Sequence, residues 1–296
     1  MNKELRAALL LLLTAALWGF AMAAQRQASR FLSPFTFNAC RFTVGALAML
    51  PLLMARGKKP LLEKRDILPG VLLGAALSLA SLLQQSAVGD AGAGKAGFLT
   101  ALYVVLVPVM GIFLRKRTRL TTWLALLLAL PALYLLCVPA GEDFSLAPWD
   151  AVLLISAFVW AAHILLTDHF TRDHRPLRLC LVQFASAALI NWVFALATER
   201  IAGSGLASAL GPVLYCGVFS TGVGYLLQTM GQKDCRPAVA ALILSLESVF
   251  CVIAGALLLG ERMDARGYLG CALMLAAVLL AQAGALIGNR REEPHV

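Results

Sequence analysis

The sequence predicts an all-α integral membrane protein of ten transmembrane helices, arranged as two five-helix inverted-topology repeats with both termini cytoplasmic. Three observations carry that expectation. Of the 296 residues, 60% are hydrophobic and 14% charged, and the mean hydropathy is +0.81; soluble domains carry roughly 25% charged residues. Ten apolar stretches near spanning length follow one another along the chain. The two halves also resemble each other at a shift of about 142 residues.

A helix needs about 20 mostly apolar residues to cross a hydrocarbon core of roughly 30 Å. Breaks at charges, Pro and Gly place the spans at 5–24, 34–55, 67–88, 92–114, 120–138, 149–169, 177–198, 208–230, 237–259 and 266–287. The first follows Lys3 and Arg6 and ends in "AMAA", features shared with a cleavable signal peptide. Its apolar run is long for such a leader and a similar segment recurs mid-chain, so it is read as a retained span. The gap between the third and fourth spans is poorly marked. Pro108 and Pro131 lie inside the fourth and fifth, where each can kink its helix. Trp123 and Trp149 fall at span ends, as interface anchors do.

The net charge of +9 is gathered into short clusters between apolar runs: "RGKKPLLEKRD" (56–66), "RKRTR" (115–119) and "RDHRPLR" (172–178). These read as solvated loops, not as a nucleic-acid surface. Eighteen of the 25 Lys and Arg residues fall in one alternate set of aqueous segments and six in the other, leaving Arg41 within a span. The positive-inside rule then puts both termini in the cytoplasm. The seven cysteines form no CxxC pair and mostly lie in apolar runs, so they read as small hydrophobes. No phosphate-binding loop, dinucleotide fingerprint, nucleophile elbow or HExxH motif is present. No cofactor or metal is expected, and nothing points to ATP-driven transport or to an enzyme.

At the shift of 142, "LTAALWGFAMAAQRQASR" (13–30) falls on "ISAFVWAAHILLTDHFTR" (155–172), pairing Trp18 with Trp160. "PFTFNACRFTVGAL" (34–47) falls on "PLRLCLVQFASAAL" (176–189), pairing Pro34 with Pro176, Phe42 with Phe184 and Arg41 with Gln183. After a one-residue drift, Gln85 stands opposite Gln228. The expected units are residues 1–145 and 146–289, followed by a cytoplasmic tail at 290–296. Five spans per unit is an odd number, so the second unit enters from the opposite side and the two are related by an axis in the membrane plane. That arrangement suits alternating access.

These features resemble the drug/metabolite transporter superfamily, EamA type. The resemblance rests on "LWG" (17–19), an Arg in a Pro-led second span, "GFLTALYVVLVP" (97–108), "LSLES" (244–248) and "LLLGERM" (257–263). It covers essentially the whole chain and implies ten helices around a central cavity, with efflux of amino acids, metabolites or drug-like compounds. Two departures stand out. "FLRKRTR" replaces a turn like the "GE" at 260–261, and "LES" replaces a common Glu-Pro, which predicts that a helix kink is missing there.

Charges inside a span cost about 2.5–3.5 kcal/mol on insertion scales and normally face protein or water. Asn38, Arg41, Gly45 and Ala48 share one helical face of polar and small residues, so Arg41 points into the bundle. It either snorkels to the outer headgroups or braces the helix start through backbone carbonyls, or it meets a substrate or a gating carboxylate. Glu247, near the middle of the ninth span, is the natural counter-charge. It either carries a proton or is fixed by Lys95 or Arg41. Ser156, Trp160, His163 and Thr167 form a polar-aromatic face, with His163 read as an interhelical hydrogen-bonder ahead of a proton relay or a metal ligand. Gln84, Gln85 and Gln228, near Ser81, Ser220 and Tyr225, either bridge helices or bind solute. Trp18, Trp160 and Tyr103 offer aromatic walls.

The expected activity is secondary transport or facilitation across the plasma membrane, exporting small organic solutes by alternating access, with or without proton coupling. The rival readings are a membrane-embedded enzyme acting on lipid and a solute channel. Expected partners are the lipid bilayer and a small-molecule substrate, with no nucleic acid; monomer and homodimer both stay open.

Overall fold

The computed structural model describes residues 3–55, 62–91, 93–138, 147–259 and 264–292, and every regular element among them is helical. Helix α1 (Lys3–Ala28) is followed by α2 (Pro34–Met54), α3 (Lys64–Ala91), α4 (Ala93–Ala101), α5 (Tyr103–Phe113) and α6 (Leu120–Cys137). The second half holds α7 (Pro148–Phe170), α8 (Pro176–Thr198), α9 (Gly203–Ser208), α10 (Leu210–Leu214), the π-helix π1 (Tyr215–Gly224), α11 (Tyr225–Gln232), α12 (Pro237–Leu244), α13 (Glu247–Leu259) and α14 (Ala265–Glu292). Four of these begin on Pro, whose missing N–H would be unpaired at a helix start in any case. The expected unit boundary at 145/146, the "GE" turn at 260–261, the Lys95 side chain and the end of the tail lie outside the described residues.

Nine helical stretches among the described residues are long and apolar enough to cross a membrane. The remaining expected span is the shorter apolar helix Leu120–Leu136, about 25 Å long at 1.5 Å per residue. Three of the nine are not simple α-helices. The stretch Ala96–Phe113 turns tightly at Leu102, whose N–H bonds to Leu99 three residues back. The break therefore precedes Pro108 by more than a turn, and both Pro108 and Pro131 sit inside continuous helix. Leu210–Gln232 contains π1, and Pro237–Ala254 breaks at Ser245–Leu246.

This last break corrects the expectation of a missing kink. No proline is needed, because the Ser245 hydroxyl bonds back to the Leu242 carbonyl at 2.7 Å and competes with the helical ladder. The N–H groups of Leu246 and Ser248 then bond three residues back, to Ile243 and Ser245. Glu247 is consequently the first residue of α13, not a mid-helix residue. At a shift of 143, Leu102 falls on Ser245, so the two interruptions occupy equivalent places in the two halves.

The turn after α5 shows what replaces the glycine of a "GE" turn. Arg115 adopts φ 55°, its N–H bonds to Ile112 at 2.9 Å, and the next N–H, on Lys116, reaches Gly111 at 2.8 Å. This is a Schellman cap with Arg in the left-handed position that usually takes Gly. Arg115→Gly should stabilise the protein by about 1 kcal/mol, read as a higher midpoint in thermal unfolding of the detergent-solubilised chain; a lower midpoint would refute the cap.

The halves interlock through residues that the repeat pairs. Thr14 and Ser156 are equivalent, and each hydroxyl reaches a carbonyl of the other half: Thr14 to Gly224 at 3.2 Å and Ser156 to Ala80 at 3.0 Å. Helices α2 and α3 also lie against α8, where Trp192 donates to Thr43 (2.9 Å) and Asn191 to Ser78 (2.7 Å). Where α2 crosses π1, a Cβ on Gly45 would stand 2.5 Å from Thr221 Cγ2, and one on Gly217 2.5 Å from Val44 Cβ. Small residues at such crossings let the backbones approach closely.

Both ends of α8 are tied to the first half. At one end, Arg178 pairs with Glu63 and lies 3.5 Å from Asp66, while His174 Nδ1 is 2.7 Å from Asp66. The hydrogen bond from Arg178, with a smaller one from Arg65, holds the Glu63 carboxyl below its ordinary value. A depressed carboxylate adds stability above its unfolded value of about 4.3 and loses it only as pH falls through the lowered one, so this tie holds at neutral pH. At the other end, Glu199 accepts the N–H groups of Phe35 (3.0 Å) and Thr36 (2.8 Å) at the start of α2, where a negative charge suits the helix dipole.

Candidate functional site

The two helix interruptions and π1 converge on one buried cavity. Trp18, Met22, Gln25, Arg41, Gln84, Thr100, Tyr103, Trp160, Ile164, Ser220, Tyr225, Gln228 and Glu247 line it. Both halves contribute. Its volume is about 40 Å³, space for a few waters but too little for an organic solute, so the site stands nearly closed.

Trp18 and Trp160 frame it through reciprocal bonds. Trp18 Nε1–H donates to the Ser220 carbonyl at 3.1 Å, and Trp160 Nε1–H donates to Gln84 Oε1 at 3.1 Å. Each indole therefore crosses from its own half to the other. Tyr225 lies between them, its ring centroid 4.8 Å from that of Trp18 and 6.3 Å, nearly parallel, from that of Trp160. The carbonyl that receives Trp18 belongs to π1, and π-helical turns recur at functional sites because they redirect backbone groups.

Arg41 is 3% exposed. Its Nε donates to Asn38 Oδ1 at 2.9 Å, and the guanidinium carbon sits 4.7 Å from the Phe42 ring centroid and 5.4 Å from that of Phe37. Asn38 is fully buried behind Arg41 and does not line the cavity. The repeat preserves this geometry. Cys180 and Gln183 stand where Asn38 and Arg41 stand in the first half, and Gln183 Nε2 contacts Cys180 Sγ at 3.6 Å. Position 41 thus keeps the same i to i+3 contact while presenting a cation.

Glu247 opens to the same cavity and makes no ion pair or hydrogen bond among the described residues. Of the alternatives for Glu247, an ion pair with Arg41 is not formed among the described residues, although both side chains line the cavity with Tyr225 and Tyr103. Glu247 is held at its place by α1. A Cβ on Gly19 would lie 2.7 Å from the Glu247 carbonyl oxygen, so the glycine of "LWG" lets the two helices close.

For His163 and Gln85 the structure takes the helix-bridging alternative. His163 lies behind the cavity wall, 1% exposed, with Nε2 3.3 Å from Gln183 Oε1 and its ring edge-on to Trp160 and Tyr225. It supports the aromatic wall from outside the cavity. Gln85 also points away from the cavity, its Nε2 donating to the Gln25 carbonyl at 3.3 Å; the lining glutamine is its neighbour Gln84, together with Gln228. Trp18, Arg41, Tyr103, Trp160, Tyr225, Gln228 and Glu247 are brought together as lining residues. Sequence reading passes over Met22, Gln25, Thr100 and Ile164. Met22 and Gln25 follow Trp18 at helical spacing, the one signal that marks them.

No group of three or more His, Cys, Asp or Glu among the described residues is placed to hold a metal ion. No disulfide joins the six cysteines with described side chains.

Fold and site together define a multi-pass membrane protein of the transporter class, built from two helical repeats around a buried polar centre. The EamA-like transporter family matches residues 5–138 and again 147–282, and the chain belongs to that family. It is 30% identical over 279 residues to an uncharacterized transporter of Archaeoglobus fulgidus, covering 94% of this chain and 86% of the relative. It is 26% identical to the uncharacterized transporter YwfM of Bacillus subtilis, covering 97% of each. A crystal structure with 19% identity superposes with a TM-score of 0.78 over 97% of this chain and 98% of the other, which shows a shared fold.

Proposed function

We propose that the protein is a ten-span secondary transporter or facilitator of the plasma membrane that exports small organic solutes by alternating access. In this reading both termini are cytoplasmic, the halves have inverted topology, and Leu120–Leu136 completes the tenth span. The observation that carries it is the pair of helix interruptions at Leu102 and Ser245, repeat-equivalent and both beside the cavity. Discontinuous helices in matching places of two repeats are where transporters of this architecture hold their solutes. The reciprocal Trp18 and Trp160 bonds support it, since they can exchange roles as the halves rock.

Arg41 and Glu247 give the site two unneutralised charges of opposite sign between aromatic walls. A zwitterionic or amphipathic solute satisfies both: its anionic group meets the guanidinium, its cationic group the carboxylate, and its apolar part the indole and phenol rings. Solute counterflow in proteoliposomes tests the reading. A transporter shows trans-stimulation by unlabelled solute on the far side; a channel shows none, and an enzyme acting on lipid moves no solute.

Proton coupling is assigned to Glu247, the one carboxylate that lines the cavity among the described residues. Glu247→Gln should abolish uptake driven by a pH gradient while leaving solute exchange measurable. Unchanged pH-driven uptake in the variant would remove Glu247 from that role.

A further inference from the structure

A second cavity of about 840 Å³ opens on the face that carries the basic loops, between α5, α7 and the starts of α6 and α12. It is some twenty times larger than the central one, and its lining is cationic: Arg115, Lys116, Arg117, Arg119, Arg172 and Arg236. Asp168 pairs with Lys116 and, at 3.2 Å, with Arg172, and Arg119 donates to the Gly284 carbonyl at 2.7 Å. An adjoining pocket that shares Arg172 and Arg236 adds Glu4, Asp234 and Lys233. Counting both pockets, the positive charge remains in excess.

Three features show that this is more than a basic loop at a membrane surface. The cations surround a real volume instead of a flat face. The N-termini of α6 and α12 both line it through Thr122, Ala238 and Val239, adding the positive ends of two helix dipoles. Thr122 is 3% exposed, and its hydroxyl makes no hydrogen bond among the described residues. Arginine forks bind phosphate oxygens bidentately, and helix N-termini add backbone N–H donors and a dipole suited to a phosphate.

We propose that this cavity binds a phosphate-bearing anion, with the phosphate held between the α12 N-terminus and the arginines of the α5–α6 turn. The favoured source is an anionic phospholipid headgroup. Lining residues Leu114 and Arg119 adjoin Ile112, Phe113 and Leu120, which are 57%, 83% and 73% exposed and offer an apolar track for acyl chains beside the basic pocket. A phosphorylated solute of the cytosol presents the same chemistry without the chains. The inference rests on the membrane setting and is independent of the transport reading.

The test is equilibrium binding to the purified full chain in a neutral detergent, with three probes: dihexanoyl phosphatidylglycerol, dihexanoyl phosphatidylcholine and glycerol 3-phosphate. The expected result is that phosphatidylglycerol binds at least about tenfold tighter than phosphatidylcholine, and that R117Q/R236Q weakens it by about 20-fold. Glycerol 3-phosphate binding as tightly as the lipid would support the site and make the source a soluble phosphate. Equal affinity for the three probes would overturn the proposal. So would an unchanged affinity in R117Q/R236Q, or an equal loss in the charge-preserving R117K/R236K, since that would show the residues to be structural.

Discussion

Arg41→Met is expected to reduce solute exchange by about 100-fold while leaving the thermal midpoint within a few degrees of the parent. The two halves of that statement have separate physical causes. A buried guanidinium that makes one hydrogen bond among the described residues, to Asn38, contributes little net stability, and replacing a buried charged group with apolar side chains of similar volume is often neutral. The ring contact with Phe42 at 4.7 Å is weakened, but a thioether packs on the same face. Function has no such compensation. Arg41 lines the cavity; in the proposed reading its remaining N–H groups meet the solute, and hydrogen bonds from a cation to a solute anion contribute about 1.5–3 kcal/mol each. If Arg41 merely braced α2, the pattern would reverse: a large drop in stability with exchange per folded molecule preserved.

The largest expected loss of stability is at Gly19. Alanine has the higher helix propensity by about 1 kcal/mol, and propensity alone would favour Gly19→Ala. Packing opposes it. The new Cβ would lie 2.5 Å from Phe250 Cβ and 2.7 Å from both the Cys251 nitrogen and the Glu247 carbonyl oxygen. Two of these three atoms are backbone and cannot rotate away, so α1 and α13 must separate. Overpacking of this kind typically costs about 1–3 kcal/mol, and Gly19→Leu should exceed that range. Gly211→Ala is the control, since nothing lies within 4 Å of its added Cβ, and it should be neutral or slightly stabilising. Thermal unfolding of the three variants in one detergent separates the outcomes. A stabilised Gly19→Ala would contradict the close crossing of α1 with α13, and with it the placement of Glu247.

The scaffold is largely legible in the sequence because bilayer thickness imposes length and apolarity on each span. The repeat is legible because Trp18 and Trp160, Pro34 and Pro176, and Phe42 and Phe184 recur at one shift. What periodicity hides is where a span stops being a regular helix. The break at Ser245 arises from a side-chain hydroxyl bonding to its own backbone, which leaves no proline as a marker. The π-helix arises where small residues, Gly217 and Gly224 among them, let Val44 and Trp18 press against the backbone. Both interruptions shift the register of the residues beyond them, which is why Glu247 moves from mid-helix to a helix start.

The same limit governs the site. Nine lining residues are visible as polar or aromatic side chains in apolar surroundings, because such residues are costly in lipid unless they face an interior. Which of two adjacent glutamines faces the cavity depends on helix rotation, and Gln84 and Gln85 cannot be told apart by composition. His163 is chemically suggestive, yet it spends its Nε2 on Gln183, the neutral counterpart of Arg41. That link also explains why one half tolerates a neutral residue where the other has a charge: each partner serves a different neighbour.

Alternating access is tested most directly by distances measured on both faces of the same molecule. Spin labels would be placed on introduced cysteines in a cysteine-free chain, one pair at Arg117 and Lys233 on the basic-loop face and one at Arg30 and Ala147 on the other. Adding a solute that shows counterflow should shift the two distance distributions in opposite directions, one pair closing as the other opens. Distances that stay fixed on both faces during demonstrable exchange, or that widen together, would contradict the account.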